Sequence, residues 1–226
     1  MNYRRYTTRN LSRGFLANFF LNLSITNLLV LINIVIFIIA SIFLAYNQNF
    51  IDYIALKPEN ILQLKNLWTL ITSMFMHGSI AHLFVNMLSL MFIGNFVEKI
   101  IGRKRFFWFY LLSGIIAGLV FVLLALIFNS ELNVYAVGAS GAIFALGGLL
   151  MILTPKLPVL VFFIIPMPMW IAMIFLLVAL WLISFLAGLP IGNTAHLGGL
   201  LAGVIYGLYL RQKYKKKVLM LNRMFR

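Results

Sequence analysis

Two polar side chains in apolar surroundings carry the chemistry of a hydrolytic site. Ser140 lies within Gly138-Ala139-Ser140-Gly141, and His196 lies within an Ala-His-Leu-Gly-Gly stretch. A serine hydroxyl is a weak nucleophile until a base takes its proton, and histidine is the side chain that most often acts as that base. The residue types therefore predict Ser140 as a nucleophile and His196 as its general base.

A second pair of polar residues, His82 and Asn86, follows helical spacing. Residues four apart lie on the same face of a helix, so both side chains point in one direction. Together with the backbone amide of Ser140 at a helix start, they are donors suited to an oxyanion. We predict His82, Asn86 and the Ser140 amide as the oxyanion-binding groups.

The rest of the composition narrows the chemistry further. The chain has four acidic residues, Asp52, Glu59, Glu98 and Glu131, and none is predicted beside His196 in the outer half of a span. The prediction is therefore a serine–histidine dyad without a carboxylate. The absence of cysteine excludes disulfides, thiolate catalysis and cysteine-ligated metals. We predict neither a metal nor another cofactor.

The elements that position these residues are membrane helices. The chain of 226 residues is 63% hydrophobic and 10% charged, which is too apolar for a soluble domain. The net charge of +14 does not indicate nucleic-acid binding, because the basic residues lie at the two ends and in short segments between apolar runs. The fold class is therefore all-α, a polytopic membrane protein with the lipid bilayer as its partner.

Six apolar stretches are predicted to form a six-transmembrane-helix bundle. They lie at about 27–46, 81–98, 106–128, 140–153, 168–187 and 194–210. The fifth is entered through a Pro166-Met167-Pro168 turn, and the long connection 47–80 is predicted as an ordered loop half sunk in the membrane interface. The domain organisation is a basic cytoplasmic segment 1–26, a helical domain 27–210 and a basic cytoplasmic tail 211–226.

The distribution of lysine and arginine predicts the orientation. With both termini in the cytoplasm, 16 of the 18 basic residues lie on the inner side and only Lys57 and Lys65 on the outer side. Cytoplasmic loops hold such an excess in membrane proteins. We predict a multi-pass protein of the plasma or inner membrane with both termini cytoplasmic. The second, fourth and sixth helices then run inward, which brings His82, Ser140 and His196 to one level.

Two features of the fourth helix support that convergence. Its fourteen residues span about 21 Å, less than the hydrocarbon core, so Ser140 is predicted to lie below the outer surface. A helix that begins within a bilayer must line a wet cavity or be buried in protein, and hydrolysis needs water. Small residues on the fourth and sixth helices, such as Gly141 and Gly199, allow the two backbones to approach closely.

These motifs resemble those of the rhomboid intramembrane serine proteases. The matching pieces are His82-x-x-x-Asn86 within HGSIAHLFVNM, Gly-Ala-Ser140-Gly and Ala-His196-Leu-Gly-Gly, in the family's order on a six-helix core. The resemblance covers about residues 27 to 210. It implies the same nucleophile, base and oxyanion donors, with the 47–80 loop as a membrane-embedded support and the fifth helix helping to gate substrate entry.

The resemblance also implies the substrates and two supporting residues. Substrates are expected to be single-pass membrane proteins cut near the outer face after a small residue. Many members carry a tyrosine four residues after the serine, packed on the histidine, where this chain has Phe144. Gly138 and Phe144 are predicted to support the substrate and the imidazole. Many members also have an arginine after the loop tryptophan, where Trp68 is followed here by Thr69.

Other interpretations of the same residues stand beside this one. Ser140 is also a residue type that eases helix packing, Asn86 could hold two helices together, and we favour a structural hydrogen bond for His77. One alternative function is a non-proteolytic rhomboid-like protein that binds transmembrane helices. Another is a haem or metal protein with His82 and His196 as ligands. The sequence makes no prediction of oligomeric state.

Overall fold

The computed structural model describes residues 23–162, 164–188 and 191–225. Within these residues the protein is all-α apart from one small β-hairpin, which confirms the predicted fold class. The predicted N-terminal segment 1–26 lies mostly outside the described residues. Its last two residues, Ile25 and Thr26, form the beginning of the first helix.

Six main helices build the domain. They are α1 (Ile25–Tyr46), α2 (Ile80–Ile101), α3 (Arg103–Ile127), α4 (Ser140–Leu153), α5 (Met169–Ala187) and α6 (Asn193–Lys213). Within the described part of the chain, α1, α2, α3 and α5 are long and apolar enough to cross a membrane. Helix α4 is apolar but has only 14 residues. Helix α6 carries polar residues at both ends, so the count of six transmembrane helices stays a prediction.

The long connection between α1 and α2 is ordered by hydrogen bonds. It contains the short helices Gln48–Phe50, Ile51–Ile54, Pro58–Leu62 and Thr69–Thr72. The Trp68 indole donates to the carbonyl of Tyr53 at 2.9 Å, and the buried Thr69 hydroxyl donates to the carbonyl of Asn66 at 2.7 Å. Thr69 thus anchors the loop to its own backbone. It follows the loop tryptophan, at the position where many of the rhomboid proteases that these motifs resemble have an arginine.

Helix α2 is irregular in its middle, and its last turns provide a cap for the start of α1. A π-helical turn at Leu90–Gly94 separates the α-helical parts Ile80–Ser89 and Asn95–Ile101. The buried Glu98 carboxylate accepts hydrogen bonds from the backbone amides of Ile25 and Thr26 at 2.9 and 2.8 Å. Two amides that have no intrahelical partner at the start of α1 are thereby satisfied.

The connection between α4 and α5 corrects one prediction. The Pro166-Met167-Pro168 segment was predicted as a turn into the fifth span, but it belongs to strand β2 (Ile165–Pro168), which pairs antiparallel with β1 (Pro158–Val161). Proline cannot donate to a ladder, and it is tolerated here because a two-stranded hairpin consists only of edge strands. The hairpin precedes α5 directly, since α5 begins at Met169.

Helix α4 forms the centre of the bundle. It packs most extensively against α6 and also against α3 and α5, and most of its side chains are buried. The apolar outward faces of α1, α3 and α5 remain exposed, as expected where lipid covers a protein. Burying the short helix that begins with Ser140 fixes the position of this residue inside the protein.

The C-terminal residues form a further helix. Residues 211–213 complete α6, and α7 (Lys215–Arg223) follows after one residue. Val218 of α7 is buried, and the Asn222 side-chain amide donates to the carbonyl of Leu153 at 2.7 Å. That carbonyl is at the end of α4, where no intrahelical donor remains. The basic tail therefore covers the C-terminal end of the central helix.

Candidate active site

The two side chains predicted to react are in direct contact. Ser140 Oγ lies 2.8 Å from His196 Nε2, within hydrogen-bond distance. Ser140 is the first residue of α4, and His196 lies in the first turn of α6. The imidazole is buried, with 6% of its surface exposed, while the serine is partly exposed. A hydroxyl held on an imidazole nitrogen in this way can be activated as a nucleophile.

Glycines bring the two helices close enough for that contact. A methyl group at Gly199 would collide with the carbonyl oxygen of Gly141, and one at Gly203 with the carbonyl oxygen of Ala145. One at Gly141 would lie 2.8 Å from the Ala117 methyl group on α3. The backbones of α4 and α6 therefore touch directly, which is the close approach that small residues allow in membrane helices.

His82 and Asn86 border the same site from α2. The second span was predicted to begin at about residue 81 and begins at Ile80, so His82 is the third residue of the helix. Ser79 caps that helix by accepting from the His82 amide at 3.1 Å. The buried Asn86 side-chain amide donates to the carbonyl of His82 at 2.9 Å. This bond uses one of its two N–H groups and leaves the second for a ligand.

Gly138 lets His82 approach the segment before the serine. Its φ is +117°, a conformation that side chains other than glycine rarely adopt. A Cβ atom there would lie 2.9 Å from Cε1 and 3.0 Å from Nε2 of His82. The Gly138 amide donates to the carbonyl of Ser73 at 2.8 Å, which joins this turn to the long connection between α1 and α2. Glycine is thus required at position 138 by both conformation and space.

His77 lies shortly before α2, and the sequence analysis favours a structural hydrogen bond for its side chain. It is 1% exposed, and its Nε2 accepts a long hydrogen bond of 3.5 Å from the backbone amide of Ala139, directly before Ser140. The favoured structural hydrogen bond is therefore present. Burial, together with the neighbouring His82, lowers the pKa of His77 to about 4, so the ring stays neutral and able to accept.

The imidazole of His196 is stacked on an aromatic ring. Phe144 stacks on His196 with ring centroids 4.5 Å apart and an interplanar angle of 13°. No hydrogen-bond partner for Nδ1 of His196 exists among the described residues. Three of the four acids are engaged elsewhere, since Asp52 accepts from Tyr135 at 2.7 Å, Glu98 caps α1 and Glu59 pairs with Lys57 at 3.2 Å. Phe144 covers one face of the ring, whereas the carboxylate of a triad would pair with Nδ1 at the edge of the ring.

A single large cavity of about 1240 Å³ contains these groups. Ser140, His196, His82, Asn86 and Phe144 all contribute to its wall, which is otherwise largely apolar. Glu131, from the predicted outer loop, also lines it, and partial burial raises the pKa of this carboxyl group. Among the described residues there is no group of three or more histidine or acidic side chains arranged to hold a metal ion.

These features define a class, the multi-pass helical membrane proteins with a serine–histidine pair enclosed among their helices. The family model described as the Rhomboid domain matches residues 64–213, about two thirds of the chain. The chain therefore belongs to the rhomboid family. The matched range includes the site residues from His77 to His196.

Individual relatives agree with this assignment. The chain is 34% identical over 149 residues to RHOMBOID-like protein 5 of Arabidopsis thaliana, covering 65% of this chain and 46% of the relative. It is 33% identical over 153 residues to the mitochondrial Rhomboid protein 1 of Saccharomyces cerevisiae, covering 66% and 43%. It is also 34% identical over 82 residues to Inactive RHOMBOID-like protein 8 of Arabidopsis, covering 36% and 22%. The chain thus spans less than half the length of these relatives.

Proposed function

We propose that this rhomboid-family protein is an intramembrane serine endopeptidase that cuts single-pass membrane proteins in the outer part of the bilayer. The observation that carries the proposal is the 2.8 Å separation of Ser140 Oγ and His196 Nε2. The cavity around this pair has room for an extended peptide beside the serine. A serine and a base in hydrogen-bond contact are the minimum apparatus of covalent peptide hydrolysis.

The reaction proceeds in two halves. His196 Nε2 takes the proton of Ser140 as Oγ attacks the scissile carbonyl carbon, and the imidazolium then gives this proton to the leaving amine. Water enters the cavity and attacks the resulting ester, with its proton passing to His196. That proton returns to Ser140 Oγ when the carboxylate product leaves. Phe144 holds the imidazole plane throughout by stacking.

Three donors surround the position where the oxyanion forms. The amide of Ser140 belongs to the first turn of α4, whose N–H groups have no intrahelical acceptor and carry the positive end of the helix dipole. The free N–H of Asn86 and the ring of His82 approach from α2. One such donor is worth on the order of 3 kcal/mol of transition-state stabilisation in serine proteases.

A second candidate function is a non-proteolytic protein that binds transmembrane helices. It is favoured by one observation, the match to a relative whose name calls it inactive. A pure binding protein has no use for a hydroxyl held on a buried imidazole, so the protease is preferred. The two candidates differ in whether Ser140 reacts with a serine-directed probe.

The distribution of basic residues supports a proposal for the membrane that holds the protein and for its orientation there. We place it in the plasma or inner membrane with both termini in the cytoplasm, because the basic residues concentrate on that side. One relative is named mitochondrial, so an organelle membrane is the competing location. The substrates are membrane proteins whose scissile bond lies at the level of Ser140, near the outer side.

Reconstitution tests the function directly. The purified protein in phospholipid vesicles is expected to cleave a single-pass substrate and to react with a fluorophosphonate probe. Ser140→Ala and His196→Ala should each abolish cleavage, and Ser140→Ala should abolish labelling. Cleavage retained in either variant would contradict the dyad. An unmodified protein that binds the substrate but never labels would favour the binding function.

A further inference from the structure

Three positive side chains surround one aromatic ring where α3, α6 and α7 meet. Tyr214 is the residue between α6 and α7. The guanidinium carbon of Arg105 lies 5.6 Å from the centre of the Tyr214 ring, and the Nζ atoms of Lys213 and Lys217 each lie 5.9 Å from it. Arg105 also donates to the Tyr214 hydroxyl at 3.2 Å. These four residues are called the Tyr214 cluster below.

No acidic side chain compensates the charges of the Tyr214 cluster. Within the described part of the chain, no ion pair includes a member of the cluster. Lys213 donates instead to the neutral Tyr209 hydroxyl at 2.7 Å. An arginine has five N–H donors and a lysine three, so most of the donors here have no partner among the described residues. An aromatic face attracts exposed cations only weakly, and three like charges repel one another. The cluster therefore lacks an anion.

The Tyr214 cluster lies at the level expected for lipid head groups. Arg105 is in the first turn of α3, which is long and apolar enough to cross a membrane, and Lys213 is the last residue of α6. Trp108 and Tyr209, on the same two helices, are 53% and 50% exposed. Tryptophan and tyrosine are enriched where the apolar part of a membrane meets water. The cluster thus begins where the lipid-facing surface ends.

Helix α7 places apolar side chains beside these cations. Val218 is buried in the core, which holds α7 on the bundle, while Leu219 and Met220 are 62% and 69% exposed. A short helix that exposes both basic and apolar side chains is typical of segments lying in the membrane interface. The exposed apolar residues indicate that the missing anion belongs to a lipid and not to a soluble molecule.

The chemistry of the cluster favours a phosphate within a head group of net negative charge. A guanidinium binds phosphate through paired N–H groups, and a lysine binds it as a point charge. Because the three charged groups all lie within 5.9 Å of one ring centre, one head group can reach more than one of them. A choline head group would add a further positive charge to the cluster, which makes it the poorer ligand.

We infer that the Tyr214 cluster is a binding site for the phosphate of an anionic phospholipid, such as phosphatidylglycerol. The bound head group relieves the repulsion among the three cations and holds α7 in the membrane interface. No member of the cluster lines the cavity that contains Ser140 and His196. The site is therefore distinct from the candidate active site, and the inference does not depend on the proposed protease function.

Fluorescence quenching tests the preference for the head group. Met220→Cys introduces the only thiol of the chain at an exposed position of α7, where a fluorophore is attached. The protein is reconstituted in phosphatidylcholine vesicles that contain a small fraction of phosphatidylglycerol or phosphatidylcholine with a nitroxide on the acyl chain. Phosphatidylglycerol should bind about tenfold more strongly than phosphatidylcholine, since each nearby basic residue favours an anionic head group.

Lys217→Gln and Lys216→Gln, made in the labelled protein, are a matched pair. Both remove one charge from an exposed position of α7, but of the two only Lys217 lies over the Tyr214 ring. Lys217→Gln should lower the preference for phosphatidylglycerol about fivefold, and Lys216→Gln should lower it less than about twofold. Arg105→Gln changes the cluster from α3 and should match Lys217→Gln. Unchanged unfolding temperatures show that each variant is folded.

Three results would overturn the inference. Equal quenching by the two nitroxide lipids would mean that the site has no preference for an anionic head group. Equal losses in Lys217→Gln and Lys216→Gln would mean that the charge of the whole helix acts and not the cluster. Loss of the preference when inorganic phosphate is added at constant ionic strength would assign the site to a soluble anion instead of a lipid.

Discussion

At the scale of single residues, the proposed dyad depends on neighbours that hold the imidazole in place without a carboxylate. Nδ1 of His196 finds no acceptor among the described residues, while Phe144 covers one face of the ring at 4.5 Å. An aromatic stack constrains the plane of the ring but not its tautomer. Where many family members have a tyrosine, this chain has Phe144, whose ring still stacks on the imidazole but carries no hydroxyl.

Phe144→Leu is predicted to lower the rate of fluorophosphonate labelling about tenfold, because a misdirected imidazole loses its alignment with Ser140. Phe144→Tyr preserves the ring and should label within about twofold of the unmodified rate. The measurement is the labelling rate constant in vesicles. If leucine were as good as tyrosine, stacking would not orient the imidazole.

His77 is predicted to act as a positioning residue through the Ala139 amide. His77→Leu removes the acceptor and leaves a buried amide unpaired, which costs about 1–3 kcal/mol. We expect labelling to slow about tenfold, with partial recovery in His77→Gln, whose side-chain oxygen can accept. Because burial lowers the pKa of His77 to about 4, the ring does not change charge near neutral pH.

The pH profile separates positioning from a proton-transfer role for His77. From about pH 6 to pH 8 the His77→Gln variant should show the same profile of labelling rate as the unmodified protein, only lower. A shifted profile would mean that His77 itself gives or takes a proton in the reaction. Thermal unfolding of both variants provides the control for general loss of structure.

At the scale of the elements, the site exists because α4 and α6 touch along their backbones. Gly199→Ala is predicted to be severely damaging, since its methyl group would meet the carbonyl oxygen of Gly141 and force the helices apart. A shift of about 1 Å in a reacting pair can cost about a hundredfold in rate. We therefore expect labelling to fall at least about a hundredfold, with a lower unfolding temperature.

Gly192→Ala is the matched control for this helix. Its Cβ atom would find its nearest neighbour, the Ala195 methyl group, 3.9 Å away, which is ordinary contact. Its backbone φ of −70° suits any residue. Labelling and unfolding temperature should both stay close to those of the unmodified protein. A similar loss in both variants would show that the contact between Gly199 and Gly141 is not the cause, since alanine favours a helix more than glycine does.

The sequence predicted the elements where one physical rule dominates. The fourth helix was predicted at 140–153 and observed at Ser140–Leu153, because proline and glycine punctuate an apolar run at both ends. Polar residues are costly in hydrocarbon, so Ser140 and His196 stood out among few candidates. Their contact at 2.8 Å agrees with the predicted convergence of two helix starts.

The features that the sequence did not predict depend on contacts between distant segments. Pro166-Met167-Pro168 was predicted as a turn because proline is common in turns, and only pairing with Pro158–Val161 shows that Ile165–Pro168 is a strand. The π-helical turn Leu90–Gly94 has no pattern of its own. The bond from Ala139 to His77 joins residues 62 positions apart, which no local pattern reveals.

At the scale of the whole molecule, the distribution of charge predicts which side of the membrane each end occupies. Sixteen of the 18 basic residues lie at the ends or connections assigned to the cytoplasm. The structure groups several of these at one end of the bundle, where Arg105 donates to the Tyr214 hydroxyl at 3.2 Å and α7 packs on the C-terminal end of α4. Ser140 begins α4 at the opposite end. The active site is therefore predicted to open away from the cytoplasm.

Single-cysteine labelling tests this orientation, because the chain contains no cysteine and any introduced thiol is the only one. Asn129→Cys places a thiol in the exposed connection between α3 and α4, and Lys216→Cys places one on α7. A membrane-impermeant maleimide should label Asn129→Cys in intact cells or right-side-out vesicles. It should label Lys216→Cys only after permeabilisation. The reverse pattern would show the opposite orientation in the membrane. Ser140 would then face the cytoplasm, and substrates would be cut on the inner side.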